Sequence, residues 1–398
     1  MNISNGQTAP SRHVRIAHLT VYRDLPDGIR KQLSAEHNAT RAIIGADWTT
    51  RAIHGGAART GFERRIPMPF RAIMLRNLYG WIIARRLART HDVVLLRHMP
   101  FDPFVFFFAP FIRNRVSVHH SKEVEELPLI RTGVKGRFAA RLETYTGRAA
   151  VRYAIGVLGV TGEIAQHQVN TRAQGKPWSV YANGIDLDSV PPLADNRSGG
   201  IVQVAFICNT FSAWHGLDRL MAAVAKAPPM FGAFVIHLIG TLSDTQRAEI
   251  NAMGPQAHLF RIHGHLTTVA YRTLLAECDV GLGSLAMDRQ NLREGTTLKV
   301  REMLAMGLPV YSGHKDAALP NDFAYYAHRR TVDIDDLCEF ARTMKPHNRL
   351  DVRQAAAPYI EKAAAMQNVV EWCWTLIPVH TAGADFSPPP QHHHAAEG

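Results

Sequence analysis

The sequence predicts an α/β protein of two domains, each a parallel sheet wrapped by helices. Three observations predict it. Residues 201–344 alternate strand and helix patterns cleanly. Residues 14–181 carry further short apolar strands separated by helical segments. Between them, Pro191-Pro192 and Asn196-Arg197-Ser198-Gly199-Gly200 read as a linker. A chain of 398 residues has room for two domains of ordinary size. The expected layout is an N-terminal domain over 13–192 and a C-terminal domain over 193–352. A closing helix follows over 353–377, then a low-complexity, disordered tail over 378–398 with Pro388 to Pro390 and His392 to His394.

Composition narrows the class. Apolar residues make up 46%, too many for a disordered chain. The four cysteines, Cys208, Cys278, Cys338 and Cys373, lie far apart with no C-x-x-C, which argues for a reducing compartment and against a disulfide framework or zinc site. The N-terminus lacks the apolar stretch of a signal peptide, and the run Phe104 to Ile112 is too short to span a bilayer. A cytoplasmic protein, peripheral on the inner membrane face, is expected. The net charge of +11 is uneven: residues 1–190 hold 27 Lys+Arg against 14 Asp+Glu, while residues 191–398 hold 18 against 20. A basic first half points to an anionic partner there, such as a membrane surface, a lipid diphosphate or an acidic glycan. Nucleic acid is disfavoured, because no recognition module accompanies the charge.

In chain order, residues 1–12 read as a loose leader and Val14 to Thr20 as a buried first strand. Gly28 follows in the first strand-to-helix loop, where a glycine lets backbone approach a ligand. Residues 59–90 interleave eight arginines with Phe62, Phe70, Trp81 and aliphatic residues. A helix over Arg71–Arg89 is read as packing its apolar stripe inward while its polar side meets lipid head groups. Asp92 to Arg97 is a strand, and Pro103 to Ile112 reads as a packed core helix. Val116 to His119 is a strand ending in His119-His120. Ligands in open α/β sheets sit beyond the carboxyl ends of strands, so this histidine pair points at a cleft; a structural pair is the plain alternative. Helices at 135–153 and 162–174 and strands at 154–160 and 179–181 complete the half.

In the second half, strands read at 201–208, 233–239, 259–263 and 279–285, with helices at 216–227, 243–253, 267–277, 296–306 and 333–344. The stretch Asn291 to Pro309 organises the rest. Gly295-Thr296-Thr297 reads as a turn feeding a helix N-terminus, and Gly307 with Pro309 reads as its stop. Free N–H groups at such a terminus suit a phosphate. Glu294 and Glu302 lie eight residues apart, roughly 12 Å along a helix and on nearly the same side. That span fits a nucleotide-sugar, with ribose hydroxyls on one carboxylate. A surface helix with two solvated acids fits the spacing equally well.

E-x7-E at Glu294 and Glu302, followed by Ala305-Met306-Gly307-Leu308-Pro309-Val310, resembles the retaining glycosyltransferases of family 4, which have the two-domain GT-B fold. Ala213 to Arg219, Val160 to Ile164 and Asn183-Gly184-Ile185-Asp186 are similar to other family segments, in the family's order. The resemblance covers about residues 150–312. It implies two Rossmann-like domains facing across a cleft, a nucleotide-sugar donor on the second and a glycan or lipid-linked acceptor on the first. It implies catalytic roles for Glu294 and for His119 or His120. The donor would be held by Glu302, Gly295, Thr296, Thr297, Leu298, Lys299, His215, Gly216, Arg219, Asn209 and Gly28. No cofactor and no metal are implied. His215 stands where many relatives carry lysine, and histidine is the weaker cation at neutral pH; Arg219 or Lys299 is the replacement. The expected role is hexosyl transfer in cell-surface polysaccharide or glycoconjugate synthesis. The alternatives are a non-catalytic sugar-nucleotide-binding protein and a sugar-nucleotide epimerase of the same plan.

Overall fold

The computed structural model describes residues 13–377 except 73, 132, 198 and 228–233. The leader and the tail lie outside the described residues. The first half runs β1 (Val14–Val21), α1 (Asp27–Ala39), β2 (Ala46–His54), β3 (Glu63–Arg65), α2 (Leu75–Leu87), β4 (Val93–Arg97), α3 (Val105–Phe108), β5 (Arg115–His119), α4 (Glu123–Ile130), α5 (Val134–Arg152), β6 (Gly156–Gly159), α6 (Gly162–Arg172) and β7 (Trp178–Val180). Among the described residues, these strands form one parallel sheet in the order β3-β2-β1-β4-β5-β6-β7. Helices cover both faces, so β1 and β4 are buried almost throughout rather than alternating.

The second half runs β8 (Val202–Thr210), α7 (Leu217–Lys226), β9 (Phe234–Thr241), α8 (Asp244–Asn251), β10 (Phe260–Gly264), α9 (Thr268–Glu277), β11 (Val280–Leu282), β12 (Glu294–Gly295), α10 (Leu298–Ala305), β13 (Val310–Ser312), β14 (Lys315–Asp316), β15 (Tyr326–His328), α11 (Ile334–Met344), α12 (Arg349–Ile360) and α13 (Lys362–Leu376). Its main sheet is also parallel, ordered β10-β9-β8-β11-β13-β15, and β12 pairs with β14 beside it. Each sheet has its own core. Val204, Phe206, Ile236 and Leu282 centre the second, and Ile16, Trp48, Leu95 and Val118 the first.

The crossing between domains departs from expectation in two ways. Ile185, Val190 and Leu193 are already buried among second-domain side chains, so the chain crosses before Pro191. The closing helix is also not continuous from 353. Pro358 has no N–H to give, and the helix breaks at Glu361, whose backbone is extended. α12 stays with α10 in the second domain. Only α13 returns, burying Met366, Val369, Val370 and Cys373 in the first core. At the break the two crossing segments are hydrogen-bonded: Ile185 N donates to Ile360 O at 2.8 Å, and Lys362 N donates to Ile185 O at 2.9 Å.

The basic segment 59–90 is likewise only partly helical. Its helix α2 spans Leu75–Leu87, and Trp81 is 2% exposed, with its Nε1 donating to Asp102. Trp81 is therefore a core residue and does not reach a lipid surface; Arg85, Arg86 and Arg89 stay in solvent. The aromatic run 103–112 is also split. Val105, Ala109 and Ile112 are buried, but Phe107 and Phe111 are 70% and 71% exposed.

A buried charge ties α1 to the crossing. Glu36 accepts from Thr50 Oγ1 at 2.8 Å, Trp48 Nε1 at 3.1 Å and Tyr181 Oη at 2.7 Å, with His18 Nδ1 at 2.8 Å. Lys362 Nζ sits 3.7 Å from the Tyr181 ring centre. Burial alone would raise the carboxyl; His18, these bonds and Lys362 outweigh it and hold Glu36 at about 2 rather than 4.5. The stabilisation is complete above the unfolded value and is lost as pH falls from 4.5 towards 2. The melting midpoint is expected to drop across that window, and Glu36→Gln is expected to flatten the drop.

Candidate active site

The carboxyl ends of both sheets face one another, and α10 begins there. Thr297 is its N-cap, yet the side chain makes no capping bond, and its hydroxyl is buried without a partner. Next to it, Lys299 lies in the first turn. Its Nζ has only Cys208 Sγ at 3.7 Å and the Phe206 ring at 5.5 Å, and no carboxylate pairs with it among the described residues. Burial lowers its pKa. Both residues line a cavity of about 310 Å³ with Asn209, Trp214, His215 and Met287. An uncapped helix start and an unpaired ammonium over one cavity form a site for an anion.

His215 enters the same cavity as a neutral donor. Its Nδ1 accepts from Ser212 N at 3.0 Å, which leaves the proton on Nε2. Burial first, and then Lys299, push it down to about 3. Gly216 has φ of 77°, and a Cβ there would meet Leu285 at 2.9 Å, so glycine is required by the turn. Arg219 does not supply the missing charge. It forms a two-pronged ion pair with Asp288, both contacts at 2.7 Å, and its Nη1 also donates to Leu285 O. Among the described residues lining this cavity, Lys299 is the cation without a carboxylate partner.

The two glutamates do not share a helix. Glu294 is in β12, and α10 starts only at Leu298, so the spacing along a helix does not apply. Glu294 Oε2 accepts from Glu163 N at the start of α6 (3.1 Å), while Glu163 Oε2 accepts from Arg293 N and Glu294 N at 2.8 and 2.9 Å. Lys122 Nζ joins this latch, donating to Glu163 Oε1 and Asn291 O, both at 2.7 Å. Glu302 reaches across the cleft to Lys31 Nζ of α1 at 2.9 Å, beside a cavity of about 410 Å³ that Leu298 also lines. Gly295 packs within the second domain, where a Cβ would meet His314 at 2.8 Å. Thr296 packs between the domains, its O accepting from Asn183 Nδ2 at 2.8 Å. Gly28 sits in the first turn of α1, not in the preceding loop, with open space around its Cα.

The histidine pair divides. His119 is buried with both ring nitrogens engaged, Nε2 with Ser117 Oγ at 2.9 Å and Nδ1 with Glu123 Oε1 at 2.7 Å. Its ring nitrogens are taken up inside the first domain, and burial pushes it down to about 4. His120 Nε2 is buried without a partner and faces a cavity beyond β1, β4 and β5. His98, His119 and Glu123 also place ligand-type atoms within 4.8 Å of one another. Those atoms are committed to other bonds: His98 Nε2 to Glu143 at 2.8 Å, and Glu123 Oε2 to Gln168 and Arg172 at 2.8 and 3.1 Å. Two D-x-D stretches occur, Asp186-Leu187-Asp188 and Asp333-Ile334-Asp335. Asp333 caps α11, and Asp186 accepts from Asp188 N and Asn38 Nδ2.

Lys31, Lys122 and Glu163 are cleft residues that the sequence reading gave no role. Each meets its partner across more than 100 residues of chain or across the domain gap, and no local pattern marks such a pairing.

No family model matches the chain, and no curated protein matches it. Solved structures do. HepE of Anabaena, described in complex with UDP and glucose, has a TM-score of 0.57 at 14% identity, covering 91% of this chain and 100% of its own. The lipopolysaccharide outer core galactosyltransferase WaaB has 0.56 at 12%, covering 90% and 99%. Sucrose-phosphate synthase of Thermosynechococcus elongatus has 0.59 at 13%, covering 91% and 99%. At such identities the likeness establishes the fold: the chain is a GT-B protein, two Rossmann-like domains facing across a cleft.

Proposed function

We propose that this protein is a glycosyltransferase of the retaining, family 4 type that moves a hexose from a nucleotide-sugar to a glycan or lipid-linked acceptor in cell-surface glycoconjugate synthesis. The observation that carries it is the unpaired Lys299 beside the uncapped, partnerless Thr297 at the start of α10. Such a site neutralises a leaving diphosphate with N–H groups and one cation, without a metal. Glu302, freed from Lys31, takes the ribose hydroxyls, Glu294 the sugar, and His120 faces the acceptor side. The solved structures of the same fold, one described with UDP and glucose, support a nucleotide-sugar donor. The test is a thermal-shift screen of UDP, GDP and ADP with EDTA present. One of them is expected to raise the midpoint, as a ligand of the native state must; no shift from any of them, or a shift only with added manganese, overturns the reading.

An anionic membrane is the second proposed partner, at a different surface from α2. Along α5, Phe138 and Tyr145 are both 69% exposed and Val134 stands beside them, interleaved with exposed Lys135, Arg137, Arg141 and Arg148. α3, with its exposed Phe107, packs against this helix. Basic and aromatic residues on one exposed helical face suit the head-group layer. Among the described residues, no helix is long and apolar enough to cross a membrane. The protein is expected to pellet with anionic vesicles and not with neutral ones. Replacing Arg137, Arg141 and Arg148 by Gln is expected to abolish pelleting, at about 1 kcal/mol per basic side chain; replacing Arg85, Arg86 and Arg89 is expected to leave it intact.

A further inference from the structure

The cavity that His120 faces has about 460 Å³ and lies beyond the carboxyl ends of β1, β4 and β5. Four arginines line it: Arg23, Arg76, Arg97 and Arg131. Arg97, at the end of β4, lies with its guanidinium 5.2 Å from the Tyr22 ring centre and makes no side-chain hydrogen bond or ion pair among the described residues. Arg76, half-buried on α2, has none either. Among the described residues, Arg131 stacks on Phe101, at 4.7 Å, and forms no ion pair.

The acids nearby attract Arg76 and Arg97, but among the described residues none forms an ion pair with Arg76, Arg97 or Arg131. Asp24 pairs loosely with Arg23 at 3.6 Å. Glu123 is held by His119 and Arg172. Glu126 lies within the pocket but forms no ion pair with any of the arginines. Two further polar atoms, Tyr22 Oη and His120 Nε2, are buried with no partner. Guanidinium groups gathered in a partly enclosed space repel one another unless an anion lies between them. Their planar forks match phosphate and carboxylate oxygens. Three arginines outnumber the one carboxylate of Glu126 that the pocket leaves free of an ion pair, and a dianionic phosphoryl group or a diphosphate balances the excess.

We propose that this cavity receives a phosphoryl group carried by the acceptor. Arg76, Arg97 and Arg131 grip its oxygens, and Tyr22 and His120 donate to it. The word acceptor rests on the glycosyltransferase reading; the anion site does not. The phosphoryl group has two chemical sources, a phosphorylated sugar or a lipid phosphate.

The experiment is calorimetry on the full chain with pyrophosphate, glucose 6-phosphate and dodecyl phosphate. Each is titrated with and without a saturating nucleoside diphosphate from the screen above. Binding is expected to persist under saturation, because the donor site belongs to the other domain. Arg76→Gln is expected to weaken it about tenfold while leaving nucleoside diphosphate affinity unchanged. Arg97→Gln is expected to do the same; Arg76 stands at the edge of the fold and keeps the test open if the Arg97 variant does not fold. Tighter binding of glucose 6-phosphate identifies a sugar phosphate, and tighter binding of dodecyl phosphate identifies a lipid. Failure of all three probes to bind, displacement by the nucleoside diphosphate, or unchanged binding in Arg76→Gln overturns the proposal. If no nucleoside diphosphate binds but pyrophosphate binding still falls in Arg76→Gln, the anion site stands and the glycosyltransferase reading falls.

Discussion

Lys299→Met is expected to lower sugar transfer about a hundred- to a thousandfold, the usual loss when a preorganised group facing developing charge is removed. Among the described residues the ammonium pairs with no carboxylate, so its charge is free to meet a diphosphate. The same substitution is expected to raise the melting midpoint of the free protein. Burial disfavours the charged lysine, and a methionine of similar length removes that cost while keeping contact with Phe206. Opposite signs separate function from folding: activity falls while stability rises. Transfer from a radiolabelled nucleotide-sugar and a melting curve on one preparation read both. A variant that melts earlier and transfers normally removes Lys299 from the site.

Glu294→Gln is expected to cut turnover about a hundredfold with little change in nucleoside diphosphate affinity. Glu294 stands off the helix, against the start of α6, and on the proposed reading it meets the sugar rather than the nucleoside. The amide keeps one oxygen as acceptor for the N–H of Glu163, so the latch between the domains survives and only the charge is lost. Turnover equal to that of the parent assigns Glu294 to the latch alone.

The sequence made the second domain readable because its strands are apolar runs between helices of ordinary length. The first domain hid β2, where Ala-Asp-Trp-Thr-Thr-Arg mixes polar residues into a strand near the sheet edge. Within the arginine-rich stretch the helix read over Arg71–Arg89 forms over Leu75–Leu87, and the chain pattern could not show that Trp81 finds Asp102 as its partner. At the site, the helix start after Thr297 was legible from the turn-then-helix pattern, while Lys299 was named only beside Arg219, on the resemblance. Arg219 was not separable from Lys299, because the distinction rests on Asp288, 69 residues away. His119 and His120 look alike in sequence; only the fold gives one of them Ser117 and Glu123 and leaves the other without a partner. The eight-residue interval between the glutamates was visible, but its geometry was not, because the helix starts after the first of them.

The paired backbone bonds at Ile185 and Glu361 govern how the halves move. Two strands of chain pass between the domains, and bonds of 2.8 and 2.9 Å fasten them side by side. A single thread would allow swivel, tilt and translation. Two fastened threads are expected to favour one angle, as a pin does for a door. Labels on Asn38 and on Leu298 are therefore expected to trace one arc as the cleft opens, with Lys31 leaving Glu302 early on it. Closure on a substrate then immobilises one rotational mode instead of several, and the entropy lost in that step is correspondingly small.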